Sequence, residues 1–286
     1  MEWINTINDA IDYIEQNLTL NLTVEDISAR YNVSRFHFQR IFGAITGVTI
    51  SEYMRNRRLS LAAEELMASH TKVIDVAYKY GYETPESFTK AFQRFHGISP
   101  IRVKKAGVSL KSFQPLSINL ERKGGTLIDY RILKKDGFDL CILSEAFHLD
   151  SSEAEIPAFW EKYFSMGRHN IVPAEVGLCS QIKASNNEFV YGIGCKNSKL
   201  KVCPPGFEVF PVPAATWAIF QCVGAMPMEM QTMWKRIYME WLPQSVYDLI
   251  YDFDMEYYKP GNMQSKDYVS EIWLPVKSKY ETNRHL

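Results

Sequence analysis

Apolar positions in the first hundred residues recur every three or four places, the spacing of helices that bury one side. Ile4, Ile7, Ile11 and Ile14 predict an amphipathic helix over Asn5–Asn17, and Thr23 with Asp26 three residues on predicts a capped helix ending near Tyr31. From Ser34 to about Thr46, Phe38, Ile41, Phe42 and Ile45 share one side. Thr49–Ser69 reads as a single rod: Thr49 and Glu52 form a capping box, and Ala62 to Met67 are strong helix formers. At 1.5 Å per residue the rod is roughly 28 Å long. Past residue 106 the pattern changes to short strand-like runs.

The segments flanking the rod are versions of one another. Asp26, Phe38, Phe42 and Gly47 before it correspond to Asp75, Phe88, Phe92 and Gly97 after it, at an offset of 49 before the turn and 50 beyond it. Asn32 and Gly81 stand where a short helix ends, and both residue types tolerate the left-handed conformation. Ser34 and Thr84 then act as N-caps, with Pro85 at the first helical position. Helix, tight turn and helix, twice over, is the layout of two helix-turn-helix units. Away from their apolar stripes the second helices carry Arg35, Phe36, Gln39 and Arg40 in one unit and Glu86, Ser87, Thr89 and Lys90 in the other. These side chains can read base edges. Singly each is an ordinary surface residue; repeated on a rigid spacer, they suit two successive turns of major groove, roughly 34 Å apart.

Charge modifies this picture little. Residues 1–106 hold 13 Lys and Arg against 12 Asp and Glu, so neither half is strongly basic. Arg30, Arg35, Arg40, Arg55, Arg57 and Arg58 do cluster in sequence, as either a phosphate-facing stripe or a merely solvated surface. A chain of 286 residues, 46% hydrophobic and 13% aromatic, supports about two domains with their own cores. No apolar run nears the roughly 18 residues that a membrane span needs, and the first residues lack the basic start and apolar block of a secretory signal. Five cysteines without C-x-x-C spacing predict reduced thiols in a cytoplasmic protein, with no metal site and no cofactor.

From Ile4 to about Lys105 the chain resembles the DNA-binding domain of AraC-family transcription regulators. The residues that carry the likeness are Arg58, Leu59, Ala62, Leu66, Val73, Ile74, Ala77, Tyr80, Gly81, Tyr82, Phe88, Phe92, Phe95 and the run Gly97-Ile98-Ser99-Pro100. The resemblance implies seven helices, the long one bridging two helix-turn-helix units, with Phe36, Gln39 and Arg40 reading one groove and Glu86, Ser87, Thr89 and Lys90 the next. It also implies RNA polymerase as a further partner. Val103 and Lys104 stand where the family usually has an aromatic and then Arg, and Pro85 and Glu86 replace polar amides of a close subgroup. These departures bear on base preference in the second unit, not on the fold.

Residues 1–106 are therefore expected as the DNA-binding domain, 107–122 as a linker and 123–286 as a second domain beginning near Gly124 and Gly125. In the second domain strands are expected at Leu127–Leu133, Phe138–Phe147, Val176–Ile182, Phe189–Cys195, Phe207–Val212, Thr216–Val223, Asp252–Tyr258 and Tyr268–Val276. Helices are expected at Ile156–Met166 and Pro227–Leu242. Strand, helix and a strand pair occur twice, which predicts an internally duplicated α+β domain. Trp160, Trp217, Trp234, Trp241 and Trp273 are numerous, and each by itself is more readily a core residue than a ligand contact. Glu256 and Glu271 are sharper, because alternation puts one or both on an apolar strand face, where an unpaired carboxylate is costly. Among aromatic rings such a group attracts a hydrophobic cation through charge and cation–π contact.

Ala214–Phe220, Gly224, Trp234, Trp241-Leu242-Pro243, Met255–Tyr258 and Ser270–Val276 are similar to the GyrI-like effector-binding fold, over about 127–280 and most clearly after 205. Members of that family bind bulky, often cationic or aromatic molecules between two pseudo-symmetric halves. By that resemblance the strand carboxylate is Glu256, with Glu271 second and Trp217, Tyr191, Trp160, Trp273 and Tyr258 as aromatic contacts. Some stand-alone relatives instead hydrolyse strained rings with Glu and Tyr, so a hydrolase-like domain tethered to a DNA-binding module is the alternative. The sequence thus predicts a cytoplasmic regulator that binds double-stranded DNA across two adjacent major grooves and a small organic effector, with no catalytic residues.

Overall fold

A computed structural model describes residues 3–31, 33–68, 71–104, 108–118, 127–148, 151–181, 188–250 and 253–280. Asn32, Gly124, Gly125 and the expected strand ends at Ile182 and Asp252 lie outside these residues. The chain divides into two compact units, Met1–Glu121 and Arg122–Leu286.

The first unit is helical. Helix α1 (Trp3–Gln16) buries Ile4, Ile7, Ile11 and Ile14. Helix α2 (Val24–Arg30) starts in the expected box: Thr23 Oγ1 accepts from the Asp26 amide at 3.2 Å, and Asp26 accepts from the Thr23 amide at 2.9 Å. Helices α3 (Arg35–Thr46) and α6 (Pro85–His96) are capped by Ser34 and Thr84 and end in left-handed Gly47 and Gly97. Between them stand the rod, α4 (Ile50–Ala68), and α5 (Val73–Lys79), followed by Gly81 at φ 79°. A 3₁₀ turn over Pro100–Lys104 follows α6, so the described residues of this unit hold six α-helices and this turn. Leu59, Ala62 and Leu66 of the rod pack with Val76, Ala77, Tyr80, Phe88 and Phe92 to form the core of the second helix-turn-helix.

The arginine cluster disperses. Arg57 is buried; its guanidinium meets both Glu15 oxygens at 2.8 and 2.7 Å and the Phe113 carbonyl at 2.5 Å. Arg58 donates to the carbonyls of Leu18 and Leu20. Five fixed donors make a guanidinium an efficient clip for buried acceptors, so these two arginines hold helices rather than form a phosphate stripe. Residues 108–118, within the stretch expected as a linker, lie extended against the helices. The Phe113 amide donates to Ser60, the Lys111 amide to His96, and Asn8 exchanges two hydrogen bonds with Ile118.

The second unit is an antiparallel sheet with two helices. Its strands are β1 (Tyr130–Lys135), β2 (Phe138–His148), β3 (Val176–Ser180), β4 (Glu188–Lys196), β5 (Glu208–Val212), β6 (Ala215–Val223), β7 (Tyr247–Leu249), β8 (Phe253–Tyr258) and β9 (Val269–Ser278). The short β7 has no counterpart in the sequence reading. Helix α7 (Ser152–Ser165) starts four residues before the expected Ile156, with Pro157 inside it, and α8 spans Met228–Arg236. Beyond α8 the chain stays helical but loosens into a π turn, Ile237–Trp241, and a 3₁₀ turn, Leu242–Gln244.

The sheet order is β1-β6-β9-β8-β3-β4-β2-β5, with β7 beside β9. The two copies, β2-α7-β3-β4 and β6-α8-β8-β9, meet at the central β3–β8 pair. Each copy's leading strand has crossed to the other: β1 pairs with β6 and β5 with β2. Yet only Asp136 and Gly137 separate β1 from β2, and only Pro213 and Ala214 separate β5 from β6. Opposite ends of the sheet must therefore meet, and the sheet curls around one face. The two turns touch: a Cβ on Gly137 would stand 3.1 Å from the Val212 carbonyl oxygen and 3.3 Å from the Ala214 amide. The enclosed face is filled by Leu140, Ile142, Leu178, Trp217, Ile219, Phe253, Met255 and Trp273. The other face carries α7 against β2 and β4, and α8 against β6 and β9.

Candidate functional site

Strand registers decide which expected site residues can meet. Glu256 stands opposite Gly177 of β3 and Ile272 of β9, whereas Glu271 stands opposite Tyr257. Alternation then puts Glu256, Tyr258 and, through Cys179, Tyr191 on the helix-bearing face. Glu271, Trp273 and Trp217 fall on the enclosed face. The two carboxylates, treated together at the sequence level, lie on opposite sides of the sheet.

On the helix side Glu256 is half-buried and held by three neutral donors. Trp234 Nε1 of α8 donates to Oε1 at 2.9 Å; the Tyr258 and Tyr191 hydroxyls donate to Oε2 at 2.7 and 3.2 Å. Trp160 Nε1 of α7 donates in turn to the Tyr191 oxygen at 3.1 Å. Each helix thus supplies one indole. The Trp160 ring also meets Tyr258 edge-on at 4.9 Å and stacks on Phe164, which is exposed, at 6.1 Å. Burial pushes the Tyr191 and Tyr258 phenols well above their ordinary range, and the Glu256 charge adds to this. Both therefore stay protonated donors at neutral pH. Among the described residues no Lys, Arg or His nitrogen lies within ion-pair distance of Glu256.

The approach of Tyr191 depends on Gly177. A Cβ there would sit 2.3 Å from the Tyr191 hydroxyl oxygen and 3.4 Å from Glu256 Oε2, so only a residue without a side chain leaves room for the contact. Gly177 and Trp234 are the site residues that sequence reasoning missed. A glycine inside a strand run was the available signal for the first. Trp234 sits in the apolar stripe Met230, Met233, Trp234 and Ile237, where nothing distinguishes it from core.

Glu271 is buried but paired. Arg131 of β1 donates to Oε1 at 2.9 Å, Trp273 Nε1 donates to Oε2 at 2.8 Å, and Lys259 Nζ stands 3.9 Å away. Its charge is answered within the protein. Trp273 lies under the Lys135 ammonium at 5.4 Å, and Trp217 is fully buried against Phe253 and Trp273. Of the seven residues expected at an effector site, Glu256, Tyr191, Tyr258 and Trp160 come together; Glu271, Trp273 and Trp217 do not join them.

In the helical unit, α6 exposes Glu86, Ser87 and Lys90, while the Thr89 hydroxyl is turned onto the Pro85 carbonyl. Helix α3 is more enclosed: Phe36 and Gln39 are buried, although periodicity placed them outside the apolar stripe. Leaving an aromatic ring in water forfeits the burial of its large apolar surface, which accounts for Phe36. Arg35 is paired with Glu25 at 2.5 Å, and the Arg40 guanidinium lies 5.5 Å over the Phe36 ring. No helix among the described residues is long and apolar enough to cross a membrane.

Comparison with known proteins adds to this geometry. A helix-turn-helix domain family matches residues 27–106, and the family of integron-associated effector binding proteins matches residues 131–276. The HTH-type transcriptional activator AarP of Providencia stuartii is 40% identical over 94 residues, covering 33% of this chain and 70% of that protein. The multiple antibiotic resistance protein MarA of Salmonella typhimurium is 30% identical over 114 residues, covering 40% of this chain and 90% of MarA. Among solved structures, the integron cassette protein VCH_CASS2 of Vibrio cholerae is 18% identical, with a TM-score of 0.39 over 52% of this chain and 95% of its own. SAV2435 bound to tetraphenylphosphonium is also 18% identical, with a TM-score of 0.48 over 56% of this chain and all of its own.

Proposed function

The chain belongs to the AraC-type helix-turn-helix regulators and, through its second unit, to the integron-associated effector-binding proteins, and from that premise we propose that it answers a bulky hydrophobic cation. The observation that carries this is Glu256, a carboxylate ringed by Trp160, Tyr191, Trp234 and Tyr258 and held, among the described residues, only by neutral hydrogen-bond donors. Neutral donors fix the carboxylate without cancelling its charge. A cation arriving between the indoles gains both the charge and the ring faces. A neutral molecule of the same shape gains only the rings. Titration calorimetry with methyltriphenylphosphonium and the neutral triphenylphosphine oxide, which carry the same three rings, tests this. The cation should bind at least tenfold more tightly, and equal affinities would overturn the reading.

Helices α6 and α3 are proposed to enter two successive major grooves, with Glu86, Ser87, Thr89 and Lys90 on one and Arg35 and Arg40 on the other, Phe36 and Gln39 being buried. The exposed polar side of α6 supports this most directly. A base contact is worth about 1–3 kcal/mol, so Lys90→Ala and Arg40→Ala should each weaken operator binding roughly tenfold or more in fluorescence anisotropy at one salt concentration. A fragment of residues 1–118, which keeps the extended segment packed on the helices, should bind as a monomer. Unchanged affinity in both variants would remove these helices from base reading. RNA polymerase as a further partner is supported by the likeness to a transcriptional activator. A DNA partner and free cysteines fit a cytoplasmic protein.

The hydrolase reading rests on one observation, the 2.7 Å contact between Tyr258 and Glu256. A protonated phenol beside a carboxylate can open a strained ring by general acid and base action. Mass spectrometry of candidate ligands after incubation with the protein decides it: unchanged mass supports the binding role, and a gain of one water supports hydrolysis.

A further inference from the structure

On the same helix-bearing face as Glu256, but further along β2 and β4, three cysteines gather in the first copy of the sheet domain. Cys141 lies on β2, Cys195 stands directly opposite it on β4, and Cys203 arrives from the segment before β5. Cys141 and Cys195 are buried; Cys203 is only half-buried. The Cys141 and Cys203 sulfurs are 2.8 Å apart, inside the separation of non-bonded sulfur atoms and under 1 Å from the roughly 2.05 Å of a disulfide. Cys195 is engaged elsewhere, its thiol directed to the Lys196 carbonyl at 3.5 Å.

We propose that Cys141 and Cys203 form an oxidation site, in which Cys203 meets a peroxide from solvent and Cys141 closes a disulfide behind it. In the first step the Cys203 thiolate attacks one peroxide oxygen. The O–O bond breaks, Cys203 becomes a sulfenic acid, and the departing hydroxide takes the thiol proton as water. In the second step Cys141 sulfur attacks Cys203 sulfur. The S–O bond breaks, hydroxide leaves and is protonated by the Cys141 proton, and a second water forms. Two thiols lose two electrons and two protons to one hydrogen peroxide.

The division of labour follows from exposure. Burial pushes the Cys141 thiol up to about 12 and Cys195 up to about 11, so neither is a ready nucleophile toward a solute. Cys203 is the thiol that solvent reaches. Cys141 needs no such activation, because its target is already in contact. The cross-link would close a loop of 62 residues and fasten β2 to the segment whose Phe207 meets Tyr163 of α7 edge-on.

The test uses the full chain, reduced and then treated with hydrogen peroxide, blocked with N-ethylmaleimide and digested without reductant. Mass spectrometry should find the Cys141 and Cys203 peptides joined with the loss of two hydrogens. The oxidised protein should melt roughly 5–10 °C higher than the reduced one. Cys203→Ser should abolish both effects. Cys141→Ser should leave a sulfenic acid on Cys203 that dimedone labels, and Cys195→Ser should leave the cross-link intact. A cross-link through Cys195 would overturn the proposal, as would Cys203 oxidised to sulfinic acid while Cys141 still reacts with maleimide.

Discussion

Glu256 and Glu271 sit on neighbouring strands of one sheet, each with an indole N–H on one oxygen, and are built for different ends. Glu271 has Arg131 at 2.9 Å and Lys259 nearby, so its charge is spent inside the protein. Among the described residues Glu256 has hydrogen bonds without a countercharge. An ion pair makes a carboxylate structural; neutral donors orient it and leave its field free for a ligand. What separates the two is the parity of a strand register, since β8 and β9 pair Glu256 with Ile272 and so send Glu271 to the other face.

The comparison breaks most readily at Glu256. Glu256→Gln keeps the shape and removes the charge, and losing a charge partner costs about 2–5 kcal/mol in such a site. Calorimetry should show the affinity for methyltriphenylphosphonium falling by roughly thirtyfold or more, with that for triphenylphosphine oxide nearly unchanged. Gly177→Ala comes next. Its methyl group displaces the Tyr191 hydroxyl, so cationic and neutral ligands should both weaken, by about 1.5–3 kcal/mol, the worth of a hydrogen bond to a charged group.

Arg131→Ala addresses the other carboxylate and should act on stability. It leaves Glu271 buried with only a distant cation. Because Arg131 is itself half exposed, solvent reduces the effect to about 1–2 kcal/mol, or a few degrees in a thermal melt. Ligand affinity should be unaffected.

The smallest effect is in tyrosine ionisation. The Glu256 charge contributes to holding Tyr191 and Tyr258 protonated, so Glu256→Gln should let phenols ionise at lower pH in an alkaline absorbance titration, while Glu271→Gln should not move these two. The folded-state values are raised, so the stability they contribute is complete below about pH 10, the ordinary phenol range, and declines above it.

Much of the helical unit was legible because its signals are local. Thr23, Ser34 and Thr84 cap where hydroxyls are expected, and Gly47, Gly81 and Gly97 end helices in the left-handed region. The strands were legible as elements, and their duplication as an order. Register was not, because pairing over long separations leaves no local trace; that is why Glu271, Trp217 and Trp273 were grouped with Glu256. Arg57 and Phe36 show the same limit in helices: periodicity gives an average face, while burial depends on which neighbours arrive.

The crossing of β1 and β5 has a consequence for how this domain can be divided. Cut between β4 and β5, the first fragment would keep three paired strands and the second the equivalent three with the short β7, each with its helix, and each leading strand would have nothing to pair with at home. The exposed edges of β2 and β6 would then each await a strand that the other fragment holds. Mixed together, the fragments should reassociate into the same sheet. Two copies of one fragment could satisfy the same pairings as a strand-exchanged dimer. The present chain has the connectivity of such a dimer whose two subunits have been spliced end to end.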